Sequence, residues 1–334
     1  MTVNVALVGF GYWGPNLLRN YWALPDVYVS WLCDLNEGRL AEAKTRYPAL
    51  ETTTSLDDVL GDPEVDAVVI ATPITTHHAI ARAALLAGKH VFVEKPMTAS
   101  AAEADDLVAL GESSGKVLMV GHTFVFSPPV QKVKEIIASG ELGDVYFITS
   151  SRVNLGLHQR DVSVIWDLAP HDLSILEYWL GETPSSVGTV GRGCVVSSIP
   201  DVAFMSLGYE SGMVAQVEVS WLSPVKLRRT VIVGSKKMLV YDDTENVEKV
   251  KVFDHGVDFR EPESFGEYQL SYRTGDITSP KLASTEPLFI EASHFVECIR
   301  TGARPMTDAR AGRAVVRTLE AAERAMRGGC RESV

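Results

Sequence analysis

Val3-Asn4-Val5-Ala6-Leu7-Val8 runs without a break into Gly9-Phe10-Gly11-Tyr12-Trp13-Gly14, and the reading of this stretch decides the fold. An apolar strand that ends in G-x-G-x-x-G and opens a helix is the first turn of a dinucleotide-binding βαβ unit. Gly9 permits the tight turn, Gly11 lets backbone approach a pyrophosphate, and Gly14 lets the helix pack on the strand. The helix N-terminus then faces the phosphates, with Phe10, Tyr12 and Trp13 in the same turn. Methyltransferases and flavoproteins share the motif, so its context has to carry the argument. The next strand, Val27–Cys33, ends at Asp34, twenty residues after Gly14. A carboxylate there binds the adenosine ribose diol; the alternative is a solvated loop acid. Such a carboxylate repels a 2′-phosphate, which favours NAD(H) over NADP(H), whereas Arg39 close by can accept that phosphate and softens the preference.

Outward from this turn, apolar strand candidates (Val3–Val8, Val27–Cys33, Ala67–Ala71, His90–Val93, Val117–Val120) alternate with helical stretches (Gly14–Trp22, Glu37–Tyr47, Leu56–Leu60, His77–Ala87, Ala101–Ser113). Continuous apolar runs predict a parallel sheet covered on both faces, and the alternation predicts a doubly wound α/β domain. Its ligands belong at the carboxyl ends of the strands. Ala71-Thr72-Pro73-Ile74-Thr75-Thr76-His77 follows one such end, so Thr72, Pro73 and His77 are candidates for the cofactor's phosphates or ribose, or simply for capping the next helix. His90-Val91-Phe92-Val93-Glu94-Lys95-Pro96 forms another, bringing Glu94 and Lys95 to the crevice. Proline disfavours the α region for the residue before it, so Lys95 is expected to be extended.

The bulk numbers fit two domains. The chain has 334 residues, 46% of them apolar and 22% charged, with a net charge of −12, which argues against sequence-independent nucleic-acid binding. No apolar run approaches the roughly 18 residues needed to span a bilayer. The first strand begins at once, leaving no room for a signal peptide. Cys33, Cys194, Cys298 and Cys330 are far apart, as free thiols in a reducing cytoplasm would be, and His77-His78 has no ligand-spaced partner, so no metal is expected.

After residue 122 the pattern changes. Pro128-Pro129 opens a helix over Val130–Ser139. Strand-like segments follow at Val145–Asn154, Ser186–Val196, Asp201–Tyr209, Met213–Trp221, Leu227–Gly234 and Lys237–Tyr241, many alternating as a sheet with one wet face does. One helix interrupts them near Asp167–Leu180, and the tail from Glu286 to Arg327 is helical again, broken near Gly302–Pro305. The polar segment from Val250 to Pro287 reads either as an excursion over the site or as an oligomer arm. The reading is therefore a Rossmann-type dinucleotide-binding domain over 1–122 and a C-terminal α+β domain with a large, mostly antiparallel open sheet over 123–334, whose last helices can pack back on the first domain. A partly apolar outer sheet face predicts a homodimer or homotetramer.

The glycine turn, Ala71-Thr72-Pro73 and Glu94-Lys95-Pro96, followed by an antiparallel second domain, resemble the Gfo/Idh/MocA oxidoreductases over essentially the whole chain. The resemblance implies NAD(P)-linked redox chemistry at a sugar or cyclitol hydroxyl. It also implies a second-domain aspartate and histidine four residues apart, a pattern that Trp166-Asp167-Leu168-Ala169-Pro170-His171 fits; the roles fall on Asp167 and His171. If Pro170 lies in the first helical turn, Asp167 is near the N-cap and the positive helix end holds His171 neutral. The alternative is an N-capping aspartate beside a packed histidine. Many members have a glycine-rich run before this aspartate, where this chain has Val162-Ser163-Val164-Ile165-Trp166. With Arg152-Val153-Asn154-Leu155-Gly156 and Gly121-His122-Thr123-Phe124, that resembles the branch acting on UDP- or dTDP-linked sugars at C3. On that reading His122, Phe124 and Asn154 face the sugar, Arg152 contacts a diphosphate or is a salt-bridged strand residue, and Trp166 stacks on nicotinamide or sugar.

The expected chemistry is removal of a hydroxyl proton by His171, oriented by Asp167, with Lys95 stabilising the developing charge or acting as the base itself. Open alternatives are a free sugar or inositol dehydrogenase, a ketosugar reductase running in reverse, an NAD-dependent glycosidase, and a non-catalytic NAD-binding sensor.

Overall fold

The computed structural model describes residues 2–156, 158–159, 162–260 and 269–334. In chain order its main elements are β1 (Val3–Val8), α1 (Gly14–Ala23), β2 (Val27–Cys33), α2 (Glu37–Arg46), β3 (Glu51–Thr53), α3 (Leu56–Gly61), β4 (Ala67–Ile70), α4 (Ile74–Leu86), β5 (His90–Glu94), α5 (Ala101–Ser114) and β6 (Leu118–Gly121). There follow α6 (Pro128–Ala138), β7 (Val145–Val153), α7 (Val164–Leu180), β8 (Ser186–Arg192), β9 (Val202–Gly208), β10 (Val214–Ser220), β11 (Leu227–Gly234), β12 (Met238–Asp242), β13 (Val250–Arg260), β14 (Gln269–Thr278), α8 (Pro287–Thr301), α9 (Ala309–Gly328) and the short β15 (Glu332–Ser333). The chain divides into two units, one of Met1–Phe126 with Thr285–Arg317, the other of Ser127–Ser284 with Thr318–Val334. The sequence suggests one boundary near residue 122; the structure adds crossings after Ser284 and Arg317.

The first unit is built on six parallel strands in the order β3-β2-β1-β4-β5-β6. The order reverses between β1 and β4, and the crevice beyond the strand ends at such a switch point is where ligands bind in open α/β sheets. All four β4 residues are buried, which explains why they read as an unbroken apolar run. Ser100-x-x-Glu103 starts α5 because the Ser100 hydroxyl accepts from the Glu103 amide while the Glu103 carboxylate reaches back to the Ala99 amide. From α8, Phe295 meets Phe92 of β5 and Tyr21 of α1 edge to face, at ring separations of 5.7 and 6.5 Å. A Thr307 hydroxyl bond to the Val120 carbonyl, 2.7 Å, ties the segment after α8 to β6.

The second unit is a nine-stranded sheet, β14-β13-β12-β11-β7-β10-β9-β8-β15. Only β7 and β10 run parallel; every other named pair is antiparallel. Along β9, Ala203, Met205 and Leu207 are buried and Phe204 is exposed, the alternation of a sheet covered on one face. Helix α7 covers that face, and Trp179 near its end donates its indole N–H to the Val130 carbonyl of α6 at 2.8 Å. The segment the sequence leaves unassigned, 250–287, holds the antiparallel pair β13 and β14.

Candidate active site

In the first unit the glycine turn is built as its spacing demands. The Gly9 amide donates to the Cys33 carbonyl at 2.8 Å, its φ is +98°, and a Cβ there would stand 2.6 Å from the Ala71 carbonyl oxygen. A Cβ on Gly14 would meet the Gly9 carbonyl oxygen at 2.4 Å. Gly11 is different: its Cβ would have only the Arg39 Nη1 in reach, at 4.0 Å. Gly9 and Gly14 are therefore glycine for packing, while the space over Gly11 fits a ligand's close approach. Phe10 is buried, Tyr12 is almost fully exposed, and the Trp13 indole hydrogen-bonds Glu94.

Asp34 holds this turn against β2. Its Oδ2 accepts from the Phe10 amide at 2.6 Å, its Oδ1 from the Asn36 amide at 2.8 Å, and Arg39 Nη1 lies 3.6 Å from Oδ2. The solvated-acid alternative does not fit a carboxylate only 9% exposed. Arg39, half exposed, stands beside both Asp34 and Gly11.

The ends of β4 and β5 are joined by His77. It is 1% exposed, and its ring nitrogens face the Thr72 and Pro96 carbonyl oxygens at 2.8 and 2.9 Å. Burial lowers its pKa, with Lys95 adding to the effect. His77, expected in the cofactor set or as a cap, is thus turned to two backbone carbonyls inside the protein, of which the neutral ring can donate to one, and it does not cap α4. Thr72 accepts at its hydroxyl from Thr76, 2.7 Å away, and Pro73 occupies the N-cap position of α4.

Glu94, expected in the same set, is also turned inward. The side chain is buried, its carboxyl pushed up to about 7 by burial, against which the neighbouring Lys95 charge acts. Its Oε2 accepts from the Lys95 amide at 3.2 Å. Glu94 points into the protein, whereas Lys95, half-buried, follows at the strand end; the Lys95–Pro96 peptide is cis. A Cβ on Gly121 would stand 3.2 Å from the Glu94 carboxyl carbon, and two residues on, the Thr123 hydroxyl donates to Glu291 Oε2 at 2.9 Å. Glu291, entirely buried on α8, is held well above the usual carboxylate range by burial and then by the Glu94 charge. His122, 1% exposed, is driven down to about 3 by burial and by Lys95, so it is a neutral interior imidazole rather than an exposed sugar contact. Phe124 is half-buried. Glu94 Oε1, Glu291 Oε1, the Tyr21 hydroxyl and both His122 nitrogens have no protein hydrogen-bond partner among the described residues. The sequence reading missed Glu291 because a lone acid in an amphipathic tail helix carries no signal.

In the second unit, α7 begins at Val164, three residues earlier than the sequence suggests, with Pro170 inside it. Pro170 cannot donate to the Trp166 carbonyl, but the helix continues because packing on both sides outweighs one lost bond. Asp167 therefore closes the first turn, its amide donating to the Ser163 carbonyl at 3.1 Å, while His171, a further turn along, lies outside the reach of the helix-end dipole. They remain one turn apart on one face. The Trp221 indole donates to Asp167 Oδ2 at 2.9 Å. Trp166, only 8% exposed, is core rather than a stacking platform.

Arg152 takes its salt-bridged alternative. It is 4% exposed on β7, with Nε 2.6 Å from Asp172 Oδ2, while Asp172 Oδ1 accepts from Ser150 at 2.8 Å. A guanidinium neutralised under α7 is not placed to read a diphosphate. Asn154, half-buried, is fixed by its backbone, donating to the Ser220 carbonyl at 3.1 Å. Neither Asp172 nor Trp221 could be picked out from sequence: one reads as an ordinary helix acid, the other as a strand-end aromatic.

The six-stranded sheet with an open glycine turn, a carboxylate at the end of β2 and a lysine at the end of β5 defines a dinucleotide-binding oxidoreductase fold. Residues 3–122 match the model of the oxidoreductase family with the NAD-binding Rossmann fold, and 130–240 that of the GFO/IDH/MocA C-terminal domain. The chain belongs to the Gfo/Idh/MocA family. It is 30% identical over 246 residues to UDP-N-acetylglucosamine 3-dehydrogenase of Acidithiobacillus ferrooxidans, covering 73% of this chain and 75% of that one. It is also 30% identical over 227 residues to inositol 2-dehydrogenase 2 of Saccharopolyspora erythraea, covering 66% and 67%. A crystal structure of the Acidithiobacillus enzyme superposes with a TM-score of 0.81 at 25% identity, over 98% of this chain and 99% of that one. With other curated relatives the match spans about half to two thirds of their length. Among the described residues, no helix is long and apolar enough to cross a membrane and no cluster of metal-ligating side chains occurs.

Proposed function

We propose that the chain is an NAD(H)-dependent dehydrogenase that oxidises a secondary hydroxyl of a sugar, with the C3 hydroxyl of a UDP- or dTDP-linked hexose as its first candidate. The observation that carries this reading is the pairing of an open Gly11 turn with Lys95 at the end of β5 in a single sheet. Gly9–Gly14, Asp34 and Arg39 would hold the dinucleotide, which when bound accepts a hydride from the alcohol carbon. NAD(H) is favoured by Asp34, though Arg39 beside it leaves room for some use of NADP(H).

The protein's own part is the proton. Oxidation of an alcohol to a ketone releases the hydroxyl proton, and negative charge builds on the oxygen as that proton leaves. On this reading His171 takes the hydroxyl proton, Asp167 fixes the His171 ring, and Lys95 donates to the same oxygen and stabilises its charge. With Lys95 as base instead, the order of the two roles reverses.

The nucleotide-sugar reading draws on the Acidithiobacillus relative. A free polyol is the second reading, favoured by the burial of Arg152 against Asp172; its cross-strand neighbour Arg228 is likewise ion-paired, to Asp243 at 3.2 Å, and Lys249 reaches the same carboxylate at 3.0 Å. Incubation with NAD and, in parallel, UDP-glucose, UDP-N-acetylglucosamine and myo-inositol, followed by NADH absorbance, separates the two. Turnover of myo-inositol alone would remove the nucleotide-sugar assignment, and no NADH with any of a broad sugar panel would remove the dehydrogenase.

The partner proposed for the second sheet is another copy of the chain. Its outer face exposes Phe147, Val190, Phe204 and Val214 by 39–75%. A reducing compartment suits four unpaired cysteines, all free in the structure.

A further inference from the structure

Trp221, the residue after β10, is 1% exposed and is gripped from several sides within the second unit. Its amide donates to the Asp201 carbonyl and its own carbonyl accepts from the Gly156 amide, both at 3.0 Å. Asp201 is wholly buried, its carboxylate accepting from the Cys194 and Val195 amides at 2.8–3.0 Å. The His158 ring lies 5.2 Å from the Trp221 ring, with Nε2 3.6 Å from Asp201 Oδ2. Residue 156 must be glycine for this arrangement, since a Cβ there would stand 2.8 Å from Trp221 Cδ1. The indole is thus fixed in position and plane, and its one polar atom is aimed at Asp167.

We propose that Trp221 is a positioning residue for catalysis, fixing the rotation of the Asp167 carboxylate through the Nε1–H to Oδ2 bond. This rests on the reading of Asp167 and His171 as the proton-handling pair. An indole nitrogen can only donate, so Oδ2 must stay an acceptor and any other Asp167 partner is presented in one fixed orientation. A carboxylate free to rotate would populate that orientation only part of the time. Sequence offers no hint of the link, because 54 positions separate the two residues.

The test couples kinetics to spectroscopy. Trp221→Phe, Asp167→Asn and the double variant are assayed for NADH formation with whichever of UDP-glucose, UDP-N-acetylglucosamine and myo-inositol turns over fastest. Loss of one hydrogen bond to a charged group predicts a fall in kcat of about 10- to 100-fold for Trp221→Phe with little change in KM. The double variant should be no slower than Asp167→Asn, because the two residues act as one unit. Site-specific replacement of Trp221 by benzothienylalanine, which keeps the ring shape and lacks the N–H, should reproduce the loss without a packing change. Independently of turnover, the indole ¹⁵N–¹H resonance of Trp221 should move in Asp167→Asn. Multiplicative rate losses, an active benzothienylalanine variant, or an unmoved resonance would each overturn the proposal. Near-wild-type kcat in Asp167→Asn would instead remove the catalytic pair, and the proposal with it.

Discussion

Lys95 and Glu94 are neighbours in sequence with opposite fates, and the difference sets two predictions. Lys95 lies at the end of β5 and Glu94 is folded into the interior. If Lys95 and His171 handle the hydroxyl proton, Lys95→Met and His171→Ala should each lower kcat by about 10²- to 10⁴-fold while the fold persists. Stopped-flow measurement of the first turnover is the check, and retention of near-wild-type rates by both variants would refute the scheme. Glu94 predicts something different. Its folded carboxyl sits near 7 against an ordinary 4.5, so between those values the native state binds a proton that the unfolded chain has released. The stability contributed by Glu94 must then fall as pH rises through that window, by about 3 kcal/mol in the limit set by roughly 1.4 kcal/mol per pH unit. Glu291 pushes in the same direction. Because burial holds His122 and His90 far below 6.5, they act in the opposite sense over the same range, so the readout is a difference: in urea melts from pH 4.5 to 7, Glu94→Gln should gain stability relative to the wild type as pH rises; parallel curves would mean that Glu94 ionises as freely as in the unfolded chain.

At the scale of elements, the helix that carries Asp167 and His171 is anchored by a buried ion pair. Arg152 on β7 and Asp172 on α7 are each 4% exposed, with Ser150 completing the acceptor set. Removing one partner strands the other charge in a poor solvent, at a cost of about 3–5 kcal/mol. Asp172→Ala should therefore lower the midpoint of thermal unfolding strongly, and Arg152→Met with Asp172→Leu together should recover much of it. Differential scanning calorimetry of the wild type and the two variants decides; a mild Asp172→Ala would mean that the pair is solvated after all. The same helix shows why part of the site was illegible. Proline is a reliable breaker when isolated from tertiary structure, so Pro170 pushed the expected start of α7 too far along, and with it the dipole argument for His171. Trp166 and Trp221 are both tryptophans near the site, and only packing separates the buried filler from the donor to Asp167. By contrast, β1, β2 and the glycine turn were legible to the residue because unbroken apolar runs mark the strands and a fixed glycine spacing marks the turn, where a Cβ at 14 meets Gly9 and one at 9 meets Ala71 after β4. Strand β3 and the β13–β14 pair escaped because short or polar strands are defined by their neighbours in the sheet, not by their own composition.

The whole molecule adds two surfaces whose occupants can be measured. The first is the glycine turn, where Asp34 and Arg39 pull in opposite directions on the 2′-position of the ribose. Binding to the folded state alone raises stability by RT ln(1 + [L]/Kd), about 2.7 kcal/mol at a hundredfold excess over Kd. NAD should thus raise the unfolding temperature more than NADP at equal concentration, and Arg39→Ala should widen the gap; an equal rise with both would mean that Asp34 is fully occupied by the Phe10 and Asn36 amides and leaves the phosphate unopposed. The second surface is the outer face of the nine-stranded sheet. Its aromatic and β-branched side chains alternate with polar ones such as Glu218 and Ser151, which bond to each other at 2.9 Å. Such a face can close on its own copy by a twofold axis, which pairs the same patch with itself and stops at two subunits. Light scattering coupled to size exclusion should give twice 36.4 kDa, or four times if a second face is used. Phe204→Glu with Val214→Asp puts like charges on that axis, where each would oppose itself across the interface, and should yield the monomer mass. A monomer in the wild type would assign these residues to the solvent and leave the sheet's apolar outer face without a structural purpose.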